Sequence, residues 1–247
     1  MRAIIKTFLA SFLLTASTQA YSANLAPPPN FPLEVAPKPT LKSTPASSIS
    51  LGSVVVDFDK TTLGEAMKQI KAGRIQHQGD AGESVYWLCY SIRAEDEWEQ
   101  LWLLSHGEMG GEEHVIYGVA AKILPSKPSA AACPELPAGL RPVKLNNGFW
   151  LGMKTDEIRK KLGKPSLESK GWLLYNSEQM FRNDPRAKAW GEHDWAVYGS
   201  LDLRVRSGKV VEMWATKQGE GSSSEFEPHP LQNLDPHPLQ EYLRRMP

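Results

Sequence analysis

A short glycine-rich stretch between His106 and His114 holds two histidines and three glutamates. Imidazole and carboxylate groups are ligands for Zn²⁺ and similar ions, so His106, Glu108 and His114 form a candidate metal site. The spacing is not that of HExxH, and glycine with charge is equally typical of a solvated or partner-contacting turn. A metal-dependent hydrolytic enzyme centred on this turn is therefore kept as an alternative function, and no resident cofactor is predicted.

Two other clusters have residue types that occur in acid–base and nucleophilic catalysis. Ser105 precedes His106, but adjacent residues of a strand point to opposite faces and do not pair as nucleophile and base. Glu192, His193 and Asp194 are consecutive, and consecutive side chains rarely converge on one reacting atom. We predict no catalytic residue and favour a recognition loop over residues 176–198, which surround Trp190 and Trp195 with charge.

The first 20 residues have the pattern of a secretory signal. Arg2 and Lys6 precede an apolar stretch from Phe8 to Ala16, and Ala20 ends a small-residue cleavage site. The stretch is shorter than the ~20 apolar residues of a membrane-spanning helix. We therefore expect a periplasmic or secreted protein with no membrane insertion after cleavage.

Export also decides how the cysteines are interpreted. Cys89 and Cys133 are the only two, and an oxidising compartment favours a disulfide between them. The 28 basic residues are balanced by 28 acidic ones, which excludes a strongly basic nucleic-acid-binding protein.

The sequences near both ends of the chain are polar and rich in proline, glycine or serine, so we expect disordered termini. Residues 21–50 are a proline-rich linker, since each proline lacks a backbone donor. Residues 218–247 are a tail that begins with glycine and serine and then repeats Pro-His-Pro-Leu-Gln.

The interior predicts an α+β fold made of two tandem helix-plus-antiparallel-hairpin units, which form a two-layer domain of sheet and helices. In residues 51–142, Thr62 and Glu65 have the spacing of a capping box before a helical pattern, and three strands follow. In residues 143–217, Thr155 is a candidate cap for a second helix, again followed by three strands.

The second unit carries a run that resembles a known signature. Leu151-Gly152-Met153-Lys154-Thr155, followed by Leu162-Gly163-Lys164-Pro165, is similar to the helix of the SmpA/OmlA outer-membrane-assembly proteins and of the β-lactamase-inhibitor-protein-like fold. The resemblance is best over residues 148–217, and the duplication is closer to the tandem inhibitor form. It implies the fold and a general binding role, and it transfers no catalytic residue.

Eight tryptophans, most of them in or beside predicted strands, are the most informative feature of the composition. A helix layer covers one face of a sheet and can leave the other bare, and exposed aromatic side chains are typical of protein interfaces. We predict an exported protein-binding module, inhibitor-like or envelope-associated; an envelope spacer protein is a further alternative. The predicted binding residues are Trp87, Trp102, Trp172, Tyr175, Trp190, Trp195 and Trp214.

Overall fold

The computed structural model describes residues 25–32, 38–94, 96–107, 111–129, 131–189 and 191–222. The predicted signal at residues 1–20 lies outside these ranges, as do Glu108, Trp190 and residues 223–247. Among the described residues, no helix is long and apolar enough to cross a membrane.

Eight antiparallel strands form the main sheet, in the order β3-β4-β5-β6-β11-β10-β9-β8. Its two halves meet where β6 pairs with β11, and each half follows a helix in the chain, which confirms the α+β class. The elements of the first half are α1 (Leu63–Ile70), β3 (Gln76–Gln78), β4 (Val85–Arg93), β5 (Trp98–His106) and β6 (Gly118–Leu124). Those of the second are α2 (Thr155–Leu162), β8 (Leu167–Ser169), β9 (Trp172–Phe181), α3 (Pro185–Lys188), β10 (Asp194–Arg206) and β11 (Lys209–Ser222).

A second, three-stranded sheet lies on the helix side of the main sheet. Its order is β2-β1-β7, with β1 at Ser48–Leu51, β2 at Val54–Asp57 and β7 at Val143–Leu145. Ile49 and Leu51 join the same core cluster as Ile70 of α1 and Ile158 of α2. Strand β1 therefore begins inside the range assigned to the linker, because its apolar residues complete the helix-side core.

A local sequence signal accounts for the start of α1 but not for that of α2. Thr62 accepts a hydrogen bond from the Glu65 amide at 3.1 Å, and the Glu65 carboxylate accepts one from the Thr62 amide at 2.9 Å. The predicted capping box is thus present at α1. At α2 the cap is Lys154 rather than Thr155, which is the first helical residue.

The region predicted as a recognition loop is mostly strand. β9 continues to Phe181 and β10 begins at Asp194, so the connection is only residues 182–193, with α3 inside it. The prediction of a long loop over residues 176–198 is wrong. Residues 176–181 and 194–198 belong instead to β9 and β10, which pair with each other there, and most of the charged residues lie in the short connection.

The aromatic sheet face and its N-terminal strap

Strand register decides which indoles share a face. Residues directly opposite each other on neighbouring strands point to the same side of a sheet. One such row crosses six strands, and it runs through Cys89, Trp102, Ala120, Trp214, Asp202 and Leu174. Trp87, Trp102 and Trp214 belong to one buried cluster, which we call the tryptophan cluster, and half-buried Trp172 packs against it. We call the face defined by Trp87, Trp102, Trp172 and Trp214, which points away from the helices, the aromatic face.

Of the other predicted binding aromatics, Tyr175 and Trp195 lie on the helix side. Tyr175 is fully buried in the main core, and its hydroxyl donates to the carbonyl of Gly163 at 3.4 Å. Trp195 packs with Ala187 of α3 and Val197 in a small separate cluster. The alternation of each strand predicts that only some of these aromatics share a face, and the structure separates Tyr175 and Trp195 from the aromatic face.

The aromatic face is not bare. Trp87, Trp102 and Trp214 are each exposed by 1% or less. The cover is a piece of the predicted linker, residues 25–32, which we call the strap; Ala26 and Phe31 pack against the tryptophan cluster. The prediction of an exposed indole surface is therefore wrong, because the chain uses its own proline-rich segment to cover it.

Specific contacts hold the strap on this face. The indole N–H of Trp102 donates to the carbonyl of Ala26 at 2.9 Å, and the Phe31 ring meets Trp214 edge-on with centroids 4.9 Å apart. The amide of Ala26 donates to Gln76 Oε1 at 2.9 Å. Pro28 and Pro32 are buried, while Asn30 is exposed. The strap is thus held by backbone hydrogen bonds at one end and by an aromatic contact at the other.

The disulfide lies beside the part of the aromatic face that the strap covers. Cys89 and Cys133 are bonded as predicted, and Cys133 lies on the aromatic face with Ala132. Gln76 joins this border to the strap, since its Nε2 donates to the Ala132 carbonyl at 2.7 Å. Gln100 Nε2 donates to Cys133 Sγ at 2.8 Å. The cross-link therefore fixes the segment against which the strap is positioned.

After the strap, the chain contacts β9, which lies in the other half of the main sheet. The amides of Thr40 and Leu41 both donate to the carbonyl of Asn176 in β9, each at 3.1 Å. Ala46 is fully buried in the helix-side core, directly before β1. The N-terminal part of the chain thus contacts both faces of the sheet and the side of β9.

Four buried side-chain polar atoms on the strands of this face have no hydrogen-bond partner among the described residues. They are the indole nitrogens of Trp87 and Trp214 and an oxygen each of Asn176 and Asp202. Asp202 is 2% exposed, and only Ser200 Oγ donates to its other oxygen, at 3.4 Å. Burial raises the pKa of the Asp202 carboxyl to about 7, which the hydrogen bond from Ser200 partly opposes. A covered face with unpaired polar atoms differs from an ordinary apolar core.

The histidines of the proposed metal site do not converge. The His106 ring lies 4.8 Å from the Tyr117 ring, and its Nε2 contacts the amide nitrogen of Gln218 at 2.8 Å. His114 Nδ1 instead contacts the backbone carbonyl of His106 at 2.9 Å. Within the described ranges, no three His, Cys, Asp or Glu side chains are grouped so that they could hold a metal ion. Glu108, the third proposed ligand, lies outside those ranges.

A cleft of about 300 Å³ lies beside Trp172 at the edge of the main sheet. Arg159 of α2 and Glu168 of β8 line it and form an ion pair at 2.7 Å. Trp172, the half-buried tryptophan among the four that define the aromatic face, lines the cleft as well. The cleft therefore borders the aromatic face.

Comparison with known proteins identifies no relative: no protein-family model, curated protein or solved structure matches the chain. The resemblance to the inhibitor-like and SmpA/OmlA folds stays a prediction. The aromatic face and the strap are therefore the features from which a function can be inferred. Sequence reasoning missed Phe31, although an aromatic residue surrounded by prolines was the available signal.

Proposed function

We propose that this protein is an exported protein-binding module whose aromatic face binds an extended, proline-rich segment of a partner. The strap occupies that face as an intramolecular ligand. The observation that carries the proposal is the hydrogen bond from Trp102 Nε1 to the Ala26 carbonyl. Indole donors that bind the backbone carbonyls of proline-rich segments on an aromatic surface are a recurring mode of peptide recognition.

The composition of the strap supports this proposal. Four of its eight residues are proline, so it stays extended at low entropic cost. Phe31 supplies the aromatic contact, with its ring edge-on to Trp214. A partner segment with the same features would make the same contacts once the strap had moved away. The partners envisaged are an enzyme that the module inhibits or a component of the cell envelope.

The export part of the proposal is supported by two features. The Cys89–Cys133 disulfide is typical of oxidising compartments, and the first 20 residues have the composition of a cleaved signal. A duplicated unit is likewise part of the proposal, supported by the order of a helix followed by four strands, which recurs in the second half with the short helix α3 between β9 and β10.

Peptide binding in trans tests the proposal. The probe is a fluorescent peptide with the sequence of residues 25–32, and the receptor is the full chain with Phe31→Ala, which weakens the strap. Truncating a partly buried Phe costs on the order of 1–2 kcal/mol. We therefore expect the variant to bind the peptide about tenfold more tightly than the wild-type chain, as measured by fluorescence anisotropy.

Asn30→Ala is the matched control, because Asn30 belongs to the strap but is exposed. It should bind the peptide as weakly as the wild-type chain. Circular dichroism establishes that all three proteins are folded. If the Phe31→Ala chain is folded and binds no peptide, the aromatic face is only a covered core and the proposal is wrong.

A further inference from the structure

The strap leaves one oxygen of a buried carboxyl on the aromatic face without a hydrogen-bond partner among the described residues. Asp202 lies opposite Trp214 in the register of β10 and β11, and Trp214 is the residue that Phe31 contacts. Asp202 Oδ1 has no hydrogen-bond partner among the described residues, although the side chain is 2% exposed. A buried acceptor without a donor is unfavourable, and an unpaired charge more so.

The strap has little with which to satisfy this carboxyl. Its four prolines, at positions 27, 28, 29 and 32, have no backbone N–H. None of its side chains is charged, and the amide side chain of Asn30 is on an exposed residue. The strap therefore matches the aromatic part of the face but not its acidic part.

The neighbouring charges on the same face are already engaged with each other. Arg204 and Glu212 lie opposite one another on β10 and β11, and Arg204 Nη1 contacts Glu212 Oε2 at 3.3 Å. Arg204 is exposed, whereas Asp202 is buried. On the other side, Leu174 of β9 faces Asp202 and offers no polar atom. Nothing in these strands supplies a cation to Asp202.

We propose that the partner segment bound by the aromatic face carries a lysine or arginine side chain that pairs with Asp202. Asp202 is then the residue that distinguishes the partner from the strap. This inference rests on the proposed function, since it names the chemistry of the segment that replaces the strap. A cation beside a buried carboxylate forms a charge-assisted hydrogen bond, which is stronger than a neutral one.

Lysine scanning of the peptide tests this inference. Three peptides based on residues 25–32 carry Asn30→Lys, Phe31→Lys or Pro32→Lys, and three matched peptides carry glutamine at the same positions. The receptor is the full-length Phe31→Ala chain at pH 8. A hydrogen bond to a charged group contributes ~1.5–3 kcal/mol, so at least one lysine peptide should bind tenfold or more tightly than its glutamine match.

Two receptor variants locate the effect. Asp202→Asn, made in the Phe31→Ala chain, should abolish the gain from lysine. Glu212→Gln in the same background removes a nearby negative charge and should leave the gain in place. If the gain survives Asp202→Asn, or disappears only with Glu212→Gln, the cation does not pair with Asp202 and the inference is wrong.

If the Asp202→Asn chain does not fold, peptide binding measured at several pH values replaces that variant as the test. The gain from lysine should be present at pH 8 and lost at pH 5, where the Asp202 carboxyl is protonated. The strap and Leu174 contribute no other titratable group, and Arg204 and Glu212 are the charged groups nearest in register. A gain that is equal at both pH values contradicts the inference.

The results separate this inference from the proposed function. Binding of the unsubstituted peptide with no gain from lysine overturns the inference alone. Binding of a lysine peptide only, with dependence on Asp202, supports the inference and contradicts the proposal that the contacts of the strap sequence suffice for binding. If no peptide binds, both are wrong.

Discussion

The indole N–H of Trp102 donates to the carbonyl oxygen of Ala26 at 2.9 Å, although 76 residues separate the two in sequence. Trp102 lies in β5 and is the second of the six residues in the row that crosses the aromatic face, so the contact fixes the strap over the first half of the sheet. The strap is therefore part of the folded unit and not a free linker.

Removing this donor should loosen the strap. In Trp102→Phe the Ala26 carbonyl loses its partner, and we expect a loss of about 1 kcal/mol in the free energy of unfolding. Hydrogen exchange of the Ala26 amide, which is bonded to Gln76, should become faster. Trp98→Phe is the control, because Trp98 is half-buried under Lys127 and lies outside the tryptophan cluster that packs against the strap. Equal exchange of Ala26 in both variants would contradict the anchoring role.

Lowering the pH from 7 to 4 should stabilise the fold through Asp202. Burial raises the pKa of this carboxyl from 3.8 to about 7. The folded chain therefore keeps its proton where the unfolded chain has lost it. The contribution is complete below about pH 4 and is lost as the pH rises through 7; it amounts to on the order of 4 kcal/mol. Urea unfolding at several pH values measures it.

Asp202→Asn should remove most of this slope. Burial also raises the pKa of Asp59 and of Glu99, which contribute with the same sign and account for any slope that remains. Hydrogen bonds from Arg186 lower the pKa of Asp184 to about 2. Asp184 therefore destabilises the fold as the pH falls, but only at pH values below about 4. A pH dependence identical in the variant and the wild-type chain would show that Asp202 is not responsible.

Reduction of the disulfide should destabilise the protein substantially. Cys89 and Cys133 are separated by 44 residues, and a loop of that length corresponds to ~4 kcal/mol in the chain-entropy account. The midpoint of urea unfolding should fall when a reductant is added. The Cys89→Ser/Cys133→Ser double variant should have the lower midpoint with or without reductant. An unchanged midpoint in the wild-type chain would contradict the prediction.

Gly219 should be intolerant of even one methyl group. A Cβ at this position would overlap the indole of Trp195, which packs over the glycine from the neighbouring strand. We expect Gly219→Ala to cost on the order of 1–3 kcal/mol. Gly139→Ala is the control, because nothing lies within 4 Å of its added Cβ. Equal thermal stability of the two variants would show that Trp195 moves aside without loss.

Local signals in the sequence predicted the parts of the fold that depend on near neighbours. The capping box at Thr62 and Glu65, the tight turn before Lys209 and the alternation of β10 all follow from residues within a few positions of one another. The disulfide was predictable because only two cysteines exist. These features needed no knowledge of the tertiary structure.

The candidate site depends on contacts that span the sequence. Strand alternation indicates that indoles lie on both faces, but which ones face the helices depends on pairing between β6 and β11. The cover of the aromatic face depends on Phe31 reaching Trp214 across more than 180 residues. β9 was missed beyond Tyr175 because Asn176 to Gln179 are polar, as suits a strand whose sides are both partly open.

The segment that follows the strap protects an edge of the main sheet. Beyond the short strand β8, the outer side of β9 would present free carbonyls, and the amides of Thr40 and Leu41 occupy the one on Asn176. Unpaired strand edges are templates for association with other copies of a chain. The N-terminal segment therefore protects this edge from aggregation. A protein that lost the hydrogen bonds from Thr40 and Leu41 would tend to form intermolecular sheets.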